Sequence, residues 1–512
     1  MVKSTFKLVI FNLLLFIPFI IQAQQFKMAV ISDLHYFDPA LIIEDGKALN
    51  DYVDSDRKMI RESDAILNSV LDSIKLIKPD FLLISGDLTK DGEKSSHQKL
   101  ALKLSNLENS GIKVYVCPGN HDINNPGAQA YNDSLSVPVD DVSPADFLSI
   151  YSDFGYSEAI YTDNATLSYI AQPINGLWLL SIDACHYQSN FSLGYAETKG
   201  SLPWSTRQWI KEKLKEASKN NIKVIAFMHH NLLEHFTMQK TVFSAYVIEK
   251  YDSISAEWAY HGLKVVFTGH SHAQDAVEKS FGKDKITDIQ TGSLVTFPCP
   301  YRIAVLNSNQ QLILSGKRVS KINYPTGSLT FQEYAYQFLA SGTPSIIKKM
   351  LMSPPYSLND SMASWLAPAV SETLIAHSEG NEGEPSTETK AIINQLKMTP
   401  YSFFALILES IWNDAAPDDW NLTIDLKVVN AINDKGSQLP VKLFSSSGGI
   451  LKIVVEDQCS FEVLIYNSNG SLIKHSKVKS EEQVNFESLS SGIYLVKIIA
   501  REKIYQAKVL VQ

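Results

Sequence analysis

Five short segments of this chain carry side chains able to hold cations: Ser32-Asp33-Leu34-His35, Gly86-Asp87, Gly119-Asn120-His121-Asp122, His229-His230 and Gly269-His270-Ser271-His272. Carboxylate, amide and imidazole donors without a thiolate suit first-row divalent ions. A lone histidine beside an apolar run is more often a satisfied core or surface residue, so no single segment is informative. The conjunction is informative, because each segment directly follows a run of strand type. Each therefore arrives at a strand's C-terminal end, where an α/β sheet presents its loops to a ligand. Gly86, Gly119 and Gly269 precede candidate positions, where the backbone turns sharply and passes close to an ion; ordinary turn formation is the alternative for each.

The runs that position these groups are Phe26–Ser32, Phe81–Ser85, Val114–Pro118, Leu177–Ile182, Val224–Met228 and Val265–Thr268. Between them, amphipathic stripes predict helices over Arg57–Ile77 and Ser205–Lys219. Strands over Ile286–Gln290, Tyr301–Leu306 and Gln311–Val319 are expected to be antiparallel, because only short turns separate them. The pattern is that of an α/β domain, a pair of mixed sheets with helices outside.

From about residue 328 to 415 the periodicity is helical, with candidates at Phe331–Leu339, Ile346–Met352, Met362–His377, Ala391–Leu396 and Tyr401–Trp412. Gly342-Thr343-Pro344, Pro354-Pro355 and the polar stretch Ser378–Thr389 are expected to break them. Past Ser445-Ser-Ser-Gly-Gly449, which reads as a linker, the period becomes two in Phe461–Tyr466, Leu472–Val478, Ile493–Ile498 and Ile504–Val511. Asn469-Gly470 supplies a hairpin turn, and a small β-sandwich fits this end.

At 512 residues and 45% hydrophobic, the chain holds enough apolar side chains for more than one core. Its net charge of −9 comes without a Lys/Arg run, so no nucleic-acid polymer is expected as partner. Lys3 and Lys7, the apolar stretch Leu8–Ile21 and a cut after Ala23 have the form of a secretory signal. A membrane anchor is the alternative, opposed by Pro18 and by the shortness of the stretch, and no stable span is expected once the signal is removed. Cys117, Cys185, Cys299 and Cys459 lack Cys-x-x-Cys spacing and read as buried small hydrophobes, with one disulfide as the alternative.

Asp-x-His, Gly-Asp, Gly-Asn-His-Asp, His and Gly-His-x-His, in that order over about residues 26 to 320, resemble the calcineurin-like metallophosphoesterase superfamily. The resemblance implies that Asp33, His35 and His272 hold one ion, that Asn120, His229 and His270 hold another, and that Asp87 bridges them. His230 could exchange roles with His229. It further implies that His121 stabilises the transition state or protonates the leaving oxygen, with Asp122 orienting it. Two divalent ions facing two carboxylates leave about two positive charges, enough to attract a phosphate and to acidify a bridging water whose hydroxide attacks phosphorus. Manganese, iron, zinc and cobalt all fit such donors.

Purple acid phosphatases are similar but place a Tyr three residues after the Gly-Asp carboxylate, where this chain has Lys90, and use Asp-x-Gly where it has Asp33-x-His35. The Asp-x-His form resembles cyclic-nucleotide and glycerophosphodiester phosphodiesterases and acid-sphingomyelinase-like enzymes. Thr291-Gly-Ser293, Pro300-Tyr-Arg302 and the helical region ending near Leu426 resemble bacterial phosphodiesterases with a helical C-terminal cap, and such a cap is expected here to edge the active site and limit leaving-group size. Leu464-Ile-Tyr466, Asn469-Gly470, Leu489–Val496 and Lys508–Gln512 resemble the type IX secretion C-terminal sorting domain of Bacteroidota.

The organisation expected is a signal peptide over 1–23, an αββα metallophosphoesterase domain over 24–320, a helical cap over 321–435 and a C-terminal β-sandwich over 445–512. The function expected is that of a secreted, periplasmic or cell-surface bacterial enzyme with two divalent metals, hydrolysing a small phosphodiester: a cyclic nucleotide, glycerophosphodiester or phospholipid headgroup. The secretion machinery is a second expected partner, through the C-terminal domain. The alternatives are a phosphomonoesterase or nucleotidase, and a non-catalytic surface-displayed binding protein.

Overall fold

The computed structural model describes residues 25–413 and 416–427, then 441–446, 450–455, 461–467, 471–478, 484–486, 489–490, 492–500 and 503–511. The expected signal peptide, the Asn469-Gly470 turn and Cys459 lie outside the described residues. The chain divides into one compact unit that ends at Asn430 and a second that begins at Ala431.

In the first unit the apolar runs build two large sheets. One has the strand order Asn421–Asp425, Gln311–Arg318, Pro300–Leu306, Phe26–Ile31, Phe81–Ser85, Lys113–Cys117. The other runs Asp275–Phe281, Asp284–Gln290, Val265–Thr268, Lys223–Met228, Leu177–Ile182, Tyr169–Ile174, Ala159–Thr162. Parallel pairing joins 26–31, 81–85 and 113–117 in the first sheet, and 177–182, 223–228, 265–268 and 284–290 in the second. The flanking strands are antiparallel. Parallel strands buried on both faces read as continuous apolar runs, which is why these centres were visible in the sequence.

Alternation along each strand sorts side chains to two faces. Met28, Val30, Leu83 and Tyr115 of one sheet share a core with Leu179, Ile225 and Phe267 of the other. The opposite face of the first sheet, with Ala29, Ile31, Leu82 and Ile84, is covered by helices Ser63–Ile77 and Lys94–Glu108. Leu180, Ala226 and Val266 of the second meet helices Trp204–Lys219 and Tyr251–Tyr260. The result is the αββα sandwich expected.

Several expectations need correction. The Arg57–Ile77 stripe is not one helix: a first helix, Lys47–Asp56, ends at Arg57, whose φ of 54° is left-handed, and the next begins only at Ser63. Met59 and Ile60 stay buried without being helical, so burial alone extended the stripe. The 286–290 strand does not pair with 301–306; it lies in the second sheet, parallel to 265–268. Gly342-Thr343-Pro344 does not break its helix, which runs unbroken over Phe331–Met352. Pro344 leaves the Ala340 carbonyl without its helical donor, and Thr343 donates its hydroxyl to the neighbouring Leu339 carbonyl at 2.7 Å. Residues 421–425 form an edge strand of the first sheet, so removal of 328–430 would cut into the sandwich as well as the helices. In the second unit, antiparallel sheets of three and four strands include Val441–Ser446, so Ser445 and Ser446 are strand and not linker. Cys117, Cys185 and Cys299 are free and buried. Among the described residues no helix is long and apolar enough to cross a membrane.

Two polar clusters bind the helical segment and the last strand to the sandwich. Buried Arg302 donates to the carbonyls of Asp419 and Gln290 at 2.5 Å each and to Thr291 Oγ1 at 3.2 Å. Asp275 Oδ2 lies 3.1 Å from His235 Nδ1 and 3.8 Å from His377 Nδ1, and Asp288 Oδ2 lies 3.4 Å from His235 Nε2. Burial lowers the basicity of His235, but the two carboxylates outweigh it and raise its pKa to about 10. Because this lies above the ordinary value of 6.5, the stabilisation is complete below that pH and disappears as the pH climbs towards 10. His235→Asn is therefore expected to cost ~3 kcal/mol near pH 6 and much less near pH 10, read from urea unfolding midpoints. An equal cost at both pH values would show that the wild-type ring is neutral.

Candidate metal centre

The site forms where parallel strands of both sheets end. Asp33, His35, Asp87, His270 and His272 all adopt left-handed backbone conformations, with φ of 49°, 37°, 46°, 72° and 57°. For residues other than glycine this costs about 1–2 kcal/mol each, and it persists only where surrounding bonds enforce it. Here the amide of Asp33 donates to Gly86 O at 3.1 Å, that of His35 to Asp87 O at 3.0 Å, and that of Gly269 to His229 O at 2.9 Å. The amide of His270 donates to both oxygens of the Asp33 carboxylate, at 3.1 and 3.0 Å. The loops from the two sheets thereby hold each other in place. Gly119 is required for this approach, since a Cβ there would collide with the amide and carboxylate of Asp87.

The donor atoms of Asp33, His35, Asp87 and His272 lie within 4.8 Å of one another, and those of Asp87, His229 and His270 form a second such group. Asp87 belongs to both. His35 Nε2 is 3.1 Å from His272 Nε2 and 3.6 Å from Asp87 Oδ2, and His272 Nε2 is 3.4 Å from Asp33 Oδ1. On the other side His229 Nε2 is 3.3 Å from Asp87 Oδ2 and 3.0 Å from Asn120 Oδ1. His230 is outside both groups. Its Nε2 bonds to the Thr198 carbonyl at 3.0 Å, and its ring packs on His270.

These groups fit divalent cations better than they fit one another. His270 Nε2 is buried without a hydrogen-bond partner, which is costly for a group with nothing else to bind. Burial, then the charge of Lys58, holds His35 well below the ordinary imidazole range, and burial with the neighbouring imidazoles does the same to His270. Neutral rings present lone pairs, as metal ligands must. At His229 burial lowers the pKa, but the Asp87 carboxylate raises it to about 9, so a proton there stands in for a cation.

His121 adjoins the cluster: its amide donates to Asp87 Oδ1 at 3.0 Å and its Nε2 is 3.9 Å from Asp87 Oδ2. Its ring nitrogen Nδ1 is paired with Asp91 Oδ1 at 2.7 Å, not with Asp122. Asp91 in turn pairs with Lys90, a buried ammonium that also lies 3.1 Å from Glu93. Asp122 instead accepts from the amides of Gly119, Leu88 and Thr89 at 2.8, 3.1 and 3.0 Å, clamping the two loops together. Sequence reasoning missed Asp91, although Lys90-Asp91-Gly92 follows Gly86-Asp87 closely enough to have signalled it.

Residues 26–274 match the model of the calcineurin-like phosphoesterase family, and residues 447–512 match that of the secretion system C-terminal sorting domain. No curated protein sequence matches the chain. Among solved structures, a dimetal phosphatase from Danio rerio is 13% identical over 60% of this chain and 98% of its own, with a TM-score of 0.41. A purple acid phosphatase from yellow lupin (Lupinus luteus) seeds is 12% identical over 58% and 52%, with a TM-score of 0.37. A phosphopantetheinyl hydrolase from Mycobacterium tuberculosis is 13% identical over 52% and 89%, with a TM-score of 0.26.

If Asp122 is a clamp and not the partner of His121, Asp122→Ala leaves three amides unsatisfied and is expected to cost about 3 kcal/mol or more of stability. Thermal unfolding of the metal-loaded chain measures this. A variant as stable as wild type would remove the clamp.

Proposed function

Taking residues 26–274 as a calcineurin-like phosphoesterase domain, we propose that this protein is a dimetal phosphodiesterase that cleaves small phosphodiesters outside the cytoplasm. The observation that carries the proposal is Asp87, one buried carboxylate common to two sets of donors. In this reading Asp33, His35 and His272 hold one cation, Asn120, His229 and His270 hold the other, and Asp87 serves both. Two bound divalent ions supply Lewis acidity for activating water and neutralising phosphoryl oxygens.

The remaining work falls to the chain's own groups. Asp91, 2.7 Å from His121 Nδ1, fixes the imidazole so that Nε2 faces the cluster. From there His121 donates a proton to the departing oxygen, a role its partly exposed side chain favours. The diester preference is supported by the Asp33-x-His35 form of the first motif. Location outside the cytoplasm rests on the sorting-domain match over 447–512.

Full-length protein reloaded with manganese or zinc is expected to cleave bis(p-nitrophenyl) phosphate faster than p-nitrophenyl phosphate, and chelation should abolish both. A clear preference for the monoester would replace the diesterase reading with that of a phosphomonoesterase or nucleotidase. His121→Ala should retain both metals by elemental analysis while losing about 10²–10⁴-fold in kcat. Asp91→Asn should lose part of the same factor. Full turnover in His121→Ala would remove that residue from the reaction.

A further inference from the structure

We propose that Lys90 is a positioning residue for the reaction: its buried ammonium holds one oxygen of Asp91 so that the other keeps the His121 ring aimed at the metal centre. The inference rests on the phosphoesterase reading above and adds to it a residue that acts through Asp91 and His121. Contact follows contact from the ammonium to the cluster. Lys90 Nζ donates to Asp91 Oδ2. Asp91 Oδ1 lies 2.7 Å from His121 Nδ1. His121 Nε2 is 3.9 Å from an oxygen of Asp87, the carboxylate common to both donor groups. The two oxygens of Asp91 thus face different partners, and the carboxylate cannot turn without giving up one of them.

The ammonium is itself held in a closed box. The Lys90 side chain is 0% exposed, and lysine is seldom so buried unless paired. Its Nζ stands 4.2 Å from the centre of the Tyr52 ring and 5.4 Å from those of Phe37 and Tyr131. A cation over aromatic faces is attracted by their quadrupoles. Tyr52 belongs to helix Lys47–Asp56, Phe37 to the loop after strand Phe26–Ile31 and Tyr131 to strand Gln129–Asn132, so three separate segments enclose it. The Lys90 amide donates to Tyr36 O at 3.1 Å, which fixes the stem beside the loop that carries Asp33 and His35. Gly92 approaches the His121 segment so closely that a Cβ would lie 3.1 Å from His121 O.

Glu93, 3.1 Å from Nζ, competes for the same charge. Burial pushes both carboxyls up; Lys90, and after it His121, bring Asp91 below the usual carboxylate range, whereas Glu93 stays above it. Lys90 therefore compensates Asp91 first. Stability does not account for an ammonium here, because a buried ion pair brings little net gain over apolar side chains of the same volume. What the charge supplies is direction: an ionised carboxylate fixed against the ring that meets the departing oxygen, with no reorganisation left to make.

The test is a double-mutant cycle in the full chain loaded with manganese, with bis(p-nitrophenyl) phosphate as substrate. Lys90→Met, uncharged and of similar length, is expected to lower kcat about tenfold and to leave KM within about twofold, with both metals retained by elemental analysis. Adding it to His121→Ala should change kcat by less than about twofold, because the ring it positions is already gone. A crystal structure of metal-free Lys90→Met should show the Asp91 carboxylate turned and His121 Nδ1 beyond hydrogen-bond distance from it. Where Lys90→Met alone does not fold or hold metal, Lys90→Met/Glu93→Gln, which removes one charge of each sign, carries the same cycle. Wild-type kcat in the uncharged variant, an equal loss in the His121→Ala background, or an Asp91–His121 contact that does not move would each overturn the assignment. Failure of the phosphoesterase reading looks different: the wild type would hydrolyse neither ester, while the metal-free structures would still report whether Lys90 fixes the Asp91–His121 contact.

Discussion

The Asp87 carboxylate, buried between two sets of nitrogen and oxygen donors, is the constraint on which the rest of the structure depends. A carboxylate taken out of water is expensive unless it is paired, and Asp33 is buried beside it. Burial alone would raise the Asp87 carboxyl; the imidazoles of His229 and His121 pull it well below the usual range instead. Carboxylates, neutral imidazoles and an unpartnered ring nitrogen in one small volume are mutually consistent when positive charge is supplied from outside. That requirement explains why strained backbone at Asp33, His35, Asp87, His270 and His272 is tolerated at this centre.

The sandwich makes such a site possible. His229 ends a strand of one sheet, yet its Nδ1 is 3.1 Å from Ser85 O at the end of a strand of the other. Gly86 has a φ of +86°, and a Cβ there would press within 2.8 Å of the His229 ring, so the sheets approach at this end as closely as a glycine allows. Parallel strands share a direction, so their C-terminal loops emerge together, and two facing sheets bring two sets of loops to one line. Antiparallel strands in their place would have sent half the donors to the opposite end.

Around this centre lie residues that hold no cation and still decide its chemistry. Asp122 spends its hydrogen-bonding capacity on three amides, which leaves Asp91 to hold His121. Segment 47–62, a helix followed by a non-helical buried stretch, brings Arg57 and Glu62 to helix Phe331–Met352. The helical segment also meets the second sheet, through the His235–Asp275–His377 contacts and the amide of Gln274, which donates to Ser378 O at 3.3 Å.

Local signals in the sequence, continuous apolar runs, a turn and polar residues at once beyond it, pointed to the pair of mixed sheets and to Asp33, His35, His229, His270 and His272, which the fold groups with Asp87. The sequence also identified the period-two C-terminal strands. Tertiary structure alone decided which sheet received residues 284–290, that 421–425 completes the first sheet, and that His229, not His230, faces Asp87. It alone paired His121 with Asp91. Those outcomes depend on contacts between residues far apart in the chain, where burial and charge compensation are settled by neighbours that no local pattern contains.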